Sequence, residues 1–385
     1  MPVEKWIWEQ VEAIIGTNAR LSMALTGGGS ELASWLLNHP GASSLVAEVQ
    51  IPYHPKALEA YLDAPGPHRV ELETGRAMAA QAFARTSALV KGDSPVIGLG
   101  CTAALATKRV RRGEDRACLA MRTSEEYHFY NLNFEKGALE RLAQEDALSR
   151  FALNALAQAC HSPGFEPREW PPGMEISTQN IAVVAPLEQL LRGEVQIAEM
   201  DLQGRWSTAA KRQGRVLFPG SFNPLHQGHI ELAAAAQRLA DSPLHLEISV
   251  ENVDKPALAY REILGRLEQV KGLFPVVLSR AATFAQKVQF LPGSLFVIGC
   301  DTAVRIFDSK YYPAGEAGRE KALGQLVSAG VRFLVAGRFF DGAYKTLKDV
   351  QIPEKYSSLF DELPQSVFRR DISSTEVRKI ASAGK

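Results

Sequence analysis

Residues 215–229 read Arg-Val-Leu-Phe-Pro-Gly-Ser-Phe-Asn-Pro-Leu-His-Gln-Gly-His, and this stretch decides the fold of the second half of the chain. A short apolar run enters a turn rich in glycine and proline, and an alanine-rich helical stretch, 230–240, follows. The order is strand, tight turn, helix. Gly220 and Gly228 suit a backbone that must come close to a ligand. The first turn of the helix offers its N–H groups and the positive end of its dipole to an anion. His226 and His229 add two hydrogen-bond donors at the mouth of that helix. A nucleotide phosphate is the ligand such a turn accommodates.

Outward from this point the rhythm repeats. Apolar segments 216–218, 245–250, 275–278, 295–299 and 331–336 alternate with helical patterns after His229, over 260–273, near 319–329 and from Ser374 onward. Continuous apolar strands joined by amphipathic crossovers predict a Rossmann-like, doubly wound parallel sheet over 214–385. Ligands of such sheets sit beyond the carboxyl ends of the strands. Pro219-Gly220, Gly299-Cys300-Asp301 and Ile372-Ser373-Ser374 all fall at strand ends or helix starts, so three separated motifs are expected to meet in one crevice. The last carries a capping box, Ser373 with Glu376 three residues on. The same helix start, with Arg378 one turn in, also suits a triphosphate.

The first 160 residues mix helical patterns (6–17, 30–37, 56–62, 73–89, 136–159) with short apolar segments (21–25, 46–51, 96–100, 116–123) and predict a separate α/β domain. Between 161 and 213 the texture changes to a proline-rich run, expected as a linker or arm, with a small helix within 181–191 and a hairpin within 194–206. The chain is therefore read as an α/β protein with domains at 1–160 and 214–385.

Composition narrows the function. Lys+Arg and Asp+Glu both number 43, so the formal net charge is zero, which argues against a main role in wrapping nucleic acid or an anionic membrane. Cys101, Cys118, Cys160 and Cys300 are scattered, with neither a C-x-x-C pair nor zinc spacing; reduced thiols of a cytoplasmic protein, and no metal site, are expected. The N-terminus lacks a basic segment followed by an apolar core, and no stretch approaches 18 uninterrupted apolar residues, so neither secretion nor membrane spanning is expected.

The 214–385 region resembles the HxGH nucleotidyltransferase superfamily, and within it the nicotinamide/nicotinate mononucleotide adenylyltransferases. The carriers are Gly-Ser-Phe-Asn-Pro, His-Gln-Gly-His, the Gly-Cys-Asp at 299–301 and the late Ile-Ser-Ser-Thr-Glu-Val-Arg. The resemblance implies ATP as substrate, with Mg²⁺ carried on it, and small-molecule nucleotides as partners. It implies catalytic roles for His226, His229 and Arg378, and nucleotide binding by Gly220, Ser221, Phe222, Gly228, Lys255, Gly299, Asp301, Ser373, Ser374 and Thr375. Two departures concern the acceptor. Val-Asp-Lys-Pro (253–256) replaces the usual segment after the second strand, and Tyr311-Tyr312 stand near the place of a familiar tryptophan. Transfer of an adenylyl or cytidylyl group to another phosphorylated acceptor, and a silent nucleotide sensor or scaffold, therefore stay open.

Residues 5–160 resemble the CinA C-terminal family of nicotinamide-nucleotide amidohydrolases, through Met-Ala-Leu-Thr-Gly-Gly-Gly-Ser, Pro-Gly-Ala-Ser-Ser and Ile-Pro-Tyr-His-Pro-Lys. Aligned on Thr26-Gly27-Gly28, Ala24 stands where that family has its serine nucleophile and Met23 where it has glutamate. Lys56 lies three residues after Tyr53 instead of five. Alanine has no oxygen with which to attack an amide, so the resemblance implies a degenerate domain, with a phosphate at the glycine turn and homo-oligomerisation as its remaining roles. Ser22 and Ser30 are the substitute nucleophiles to examine.

Overall fold

The computed structural model describes residues 3–109, 111–162, 169–208, 213–251, 257–312, 314–340 and 342–369. The chain divides into two units, Met1–Val183 and Val184–Lys385.

In the first unit the elements run α1 (Lys5–Ile15), β1 (Arg20–Thr26), α2 (Ser30–Asn38), α3 (Ala42–Leu45), β2 (Val46–Gln50), α4 (Pro55–Leu62), α5 (Leu72–Leu89), β3 (Val96–Ala104), β4 (Asp115–Arg122), β5 (Glu126–Phe134), α6 (Arg141–Ala159) and β6 (Met174–Ala182). One sheet holds all six strands in the order β2-β1-β3-β4-β5-β6. The first three are parallel and the last four form an antiparallel meander. β1 is buried along both faces, which explains why only Ser22 interrupts the apolar run from Leu21 to Leu25. Leu21, Met23 and Leu25 join Ile97 and Leu99 in the core shared with α1, α2 and α6. The opposite face lies under α5, so close that a methyl group on Gly98 would sit 2.1 Å from the carbonyl oxygen of Ala79. Only glycine permits that approach of helix to strand.

The second unit continues α7 (Ala185–Leu191), β7 (Ile197–Met200), β8 (Trp206–Ser207), β9 (Val216–Pro219), α8 (Gln227–Ala240), β10 (Leu244–Ser249), α9 (Tyr260–Val270), β11 (Val276–Ser279), α10 (Phe284–Phe290), β12 (Leu295–Gly299), α11 (Cys300–Phe307), α12 (Gly315–Ser328), β13 (Arg332–Ala336), β14 (Arg338–Phe340), β15 (Ala343–Lys345) and β16 (Phe360–Leu363). Its main sheet runs β16-β13-β12-β9-β10-β11-β7-β8. Six neighbouring strands, β16 to β11, are parallel, and β7 and β8 close the edge antiparallel. From β9 the chain winds one way through β10 and β11, then returns to the other side of β9 for β12, β13 and β16. The switch point is thus the gap between β9 and β12, where a doubly wound sheet opens a crevice at its carboxyl end.

Within the stretch expected as a linker, the small helix and the hairpin read from the sequence are present as α7 and β7–β8, and a further strand, β6, precedes them. Residues 174–182 add β6 to the first sheet, and 185–207 supply α7 and the β7–β8 hairpin to the second. β6 is an edge strand with Glu175, Ser177, Thr178, Gln179 and Asn180 exposed, and the alternation of Met174-Glu175-Ile176-Ser177 at its start is too short to mark it. The helix expected from Ser374 lies outside the described residues.

Candidate functional site

β9 ends at Pro219, and the chain makes a seven-residue connection to α8. The Gly220 N–H donates to the carbonyl oxygen of Glu247 on β10 at 2.9 Å, continuing the sheet past the strand end. Phe222 then takes a left-handed backbone (φ 44°) with its ring completely buried. For a bulky residue that conformation costs about 1–3 kcal/mol and persists only when the surroundings hold it. The ring meets Phe218 edge-on (centroids 5.3 Å apart) and His229 edge-on (5.1 Å). Phe222 therefore acts as a wall beneath the second histidine. A methyl on Gly220 would stand 2.6 Å from the Phe222 ring, which is why glycine is needed there. Ser221 is exposed, with its side chain at the rim.

His226 is the N-cap of α8 and His229 sits in its first turn. Their rings stack with centroids 3.6 Å apart and planes 18° from parallel. A methyl on Gly228 would lie 3.2 Å from the His226 ring, so the small residue lets the pair close up. The backbone N–H of His226 donates to Nδ1 of His229 at 3.4 Å. With Nδ1 accepting, the neutral ring carries its hydrogen on Nε2. Burial, then the His226 ring and the Arg338 guanidinium, push the His229 pKa down to about 3. At neutral pH His229 is thus an uncharged donor.

On the other side of the switch point, Gly299 ends β12 and is the N-cap of α11. The Asp301 carboxylate folds back over it, and a methyl on Gly299 would meet Asp301 Oδ1 at 2.5 Å. Asp301 pairs with Arg338 at 3.2 Å. Arg338 opens β14 just after β13 and is close enough to His229 to weigh on its protonation. The fold therefore brings His226, His229, Gly220, Ser221, Phe222, Gly228, Gly299 and Asp301 to one end of the sheet. Arg338 joins them unannounced by any motif. Its signal was available, since Ala336-Gly337-Arg338 is a glycine and a cation at the carboxyl end of an apolar strand. Lys255, Ser373, Ser374, Thr375 and Arg378 lie outside the described residues. The described chain ends nearby, with the Arg369 guanidinium 4.6 Å over the ring of Tyr344 on β15, the hairpin partner of β14.

Beneath the turn, Glu247 and Lys287 form a buried ion pair at 2.6 Å, both almost wholly shielded from solvent. Ser279 also donates to the Glu247 carboxylate. Such a pair is tolerated because further hydrogen bonds satisfy it.

In the first unit the residues singled out from the sequence do not come together as one site. Ala24 is fully buried against Leu58 and Met78, so the position that resembles a nucleophile site is filled by apolar side chains. Lys56 points to solvent and pairs with Glu59. Ser22 is buried, and its hydroxyl has no hydrogen-bond partner among the described residues. At the glycine turn, Ser30 donates to Oε1 of Glu145 on α6 through both its N–H (2.5 Å) and its hydroxyl (2.9 Å). The start of α2, expected to hold a phosphate, already holds a carboxylate of its own chain.

Comparison with known sequences follows this division. The profile of the Cytidylyltransferase-like family matches residues 217–380. Two curated relatives match part of the chain. One, named as a nicotinamide mononucleotide adenylyltransferase of Schizosaccharomyces pombe, is 31% identical over 120 residues, 28% of this chain and 45% of the relative. The other, named as a nicotinate-nucleotide adenylyltransferase of Gloeobacter violaceus, is 28% identical over 180 residues, 44% of this chain and 84% of the relative. The chain thus spans less than half the length of the first. Solved CinA-superfamily structures align with the N-terminal part: an Escherichia coli protein at 17% identity, covering 41% of this chain and 94% of that one, TM-score 0.34, and an Agrobacterium tumefaciens protein at 19% identity, covering 42% and 100%, TM-score 0.34. No helix among the described residues is long and apolar enough to cross a membrane. All four cysteines are free, and no three His, Cys, Asp or Glu among the described residues cluster as a metal site.

Proposed function

We propose that the cytidylyltransferase-like domain transfers the adenylyl group of ATP to the phosphate of nicotinamide or nicotinate mononucleotide, a step of NAD synthesis, in the cytoplasm. The stacked His226–His229 pair at the switch point, facing Arg338 and Asp301 across the crevice, carries the reading. ATP enters with its Mg²⁺. An oxygen of the acceptor phosphate attacks the α-phosphorus in line, one P–O bond forms as the α–β bridge breaks, and pyrophosphate leaves. Such a reaction needs positioning and relief of charge building on the phosphate oxygens. His226 and His229 donate to those oxygens, from a turn that Gly220, Ser221, Phe222 and Gly228 bring close to the nucleotide. Gly299 and Asp301 border the nucleoside side, Lys255 reaches a phosphate, and Arg338 offers a cation once phosphate competes with Asp301 for it. In this reading Ser373, Ser374 and Thr375, with Arg378, hold the β- and γ-phosphates.

The replaced segment at 253–256 favours a second acceptor class within the same chemistry. The test is pyrophosphate release by the full chain with ATP or CTP and a panel of phosphorylated acceptors. Turnover with ATP and a pyridine mononucleotide is expected, and His229→Ala should lose about two orders of magnitude or more, the scale of one preorganised donor. Unchanged turnover in that variant removes the site assignment, and turnover only with another pair reassigns the substrate.

A further inference from the structure

The left-handed, buried Phe222 has to be held by something outside its own turn. Two side chains of α9 grip the turn on either side of it. Nη1 of Arg266 donates to the carbonyl oxygen of Ser221 at 2.9 Å, and Oε1 of Gln269 accepts the Leu225 N–H at 3.0 Å. Positions 266 and 269 share one face of the helix. Arg266 is buried, and its other arm is steered by Glu262, one turn earlier, at 2.5 Å. The helix cannot follow the turn if the turn relaxes. Ile263, Leu267 and Val270 are in the core, and the N–H of Leu258, just ahead of the helix, donates to the carbonyl oxygen of Val250. A buried guanidinium whose Nε has no hydrogen-bond partner among the described residues, and whose carboxylate partner Glu262 is itself 43% exposed, is a poor trade for stability alone.

We infer that Arg266 and Gln269 are positioning residues of the transfer site, clamping the turn at Ser221 and Leu225 so that Phe222 backs the His229 ring. The inference rests on the adenylyltransferase reading for its kinetic consequence, and on geometry alone for its structural one. Arg266 touches no reacting atom. It fixes the peptide before Phe222, Phe222 fixes the imidazole, and the imidazole meets the phosphate. A displacement of about 1 Å at the end of such a chain is worth roughly a hundredfold in rate.

The test uses the full chain with Arg266→Leu, Gln269→Leu and, as the conservative rescue, Arg266→Lys, which keeps a donor for the Ser221 carbonyl. Two readouts are taken: pyrophosphate release from ATP and nicotinamide mononucleotide, and the ring resonances of ¹³C-labelled histidine without nucleotide. Arg266→Leu should lower kcat by about ten- to a hundredfold with the ATP KM changed less than about threefold, and should displace the His229 resonance. Arg266→Lys should restore most of both. Gln269 is exposed, so Gln269→Leu remains informative if Arg266→Leu does not fold, and should move both readouts in the same direction by a smaller amount. Unmoved His229 resonances and unchanged kcat in the folded variants overturn the clamp, as does a change confined to KM. If the wild type releases no pyrophosphate, the adenylyltransferase reading falls, while the His229 resonance still decides the clamp.

Discussion

Acidification is the perturbation that tests the His229 environment most directly. Burial, His226 and Arg338 hold the His229 pKa at about 3, against about 6.5 for an unconstrained histidine. Between those values the unfolded chain binds a proton that the folded chain refuses, so stability is complete above pH 6.5 and falls as pH drops below it. Each pH unit in that window removes about 1.4 kcal/mol. At pH 5 the loss from His229 is about 2 kcal/mol. His245 adds a similar amount with the same sign, because burial and Arg215 hold its pKa at about 4. The assay is urea unfolding at pH 7 and pH 5. The transition followed is the one that ATP shifts, since a chain of two units need not unfold in one step. His229→Gln keeps a neutral polar side chain and removes one titration, so its loss between the two pH values should be smaller than wild type by about 2 kcal/mol. Identical losses in the two proteins, or a His229 resonance that titrates near 6.5, would refute the buried neutral imidazole.

The remaining expectations follow from particular contacts. Gly220→Ala pushes a methyl to 2.6 Å from the Phe222 ring and should destabilise the second unit by about 1–3 kcal/mol, the usual cost of overpacking, read as a lower urea midpoint. The full chain should release no ammonia from nicotinamide mononucleotide, given the apolar surroundings of Ala24; release abolished by Ser22→Ala or Ser30→Ala would show a relocated nucleophile. Arg378→Ala should weaken ATP binding about tenfold or more while sparing AMP, since a lost charge-assisted hydrogen bond costs about 1.5–3 kcal/mol; equal effects on ATP and AMP in calorimetry would limit that helix start to a capping role.

Much of the second unit was legible in the sequence because its defining feature is local. Strand, turn and helix occupy consecutive residues from 216 to 240, and glycine, histidine and apolar spacing each act within a few positions of one another. Arrival of Gly299 and Asp301 at the same strand ends followed from the winding rule, which needs only element order. What the sequence could not supply was pairing between distant positions. Glu145 caps a turn 115 residues away, Arg338 joins Asp301 across 37, and Arg266 holds Ser221 across 45. None of these pairs has a periodicity, because long-range contacts depend on how helices and strands pack and not on local spacing. The edge strand β6 was hidden for a related reason. Only Met174 and Ile176 at its start pack against the core; from Ser177 to Asn180 it is open to solvent, and hydrogen bonding to β5 rather than an apolar face makes that part a strand.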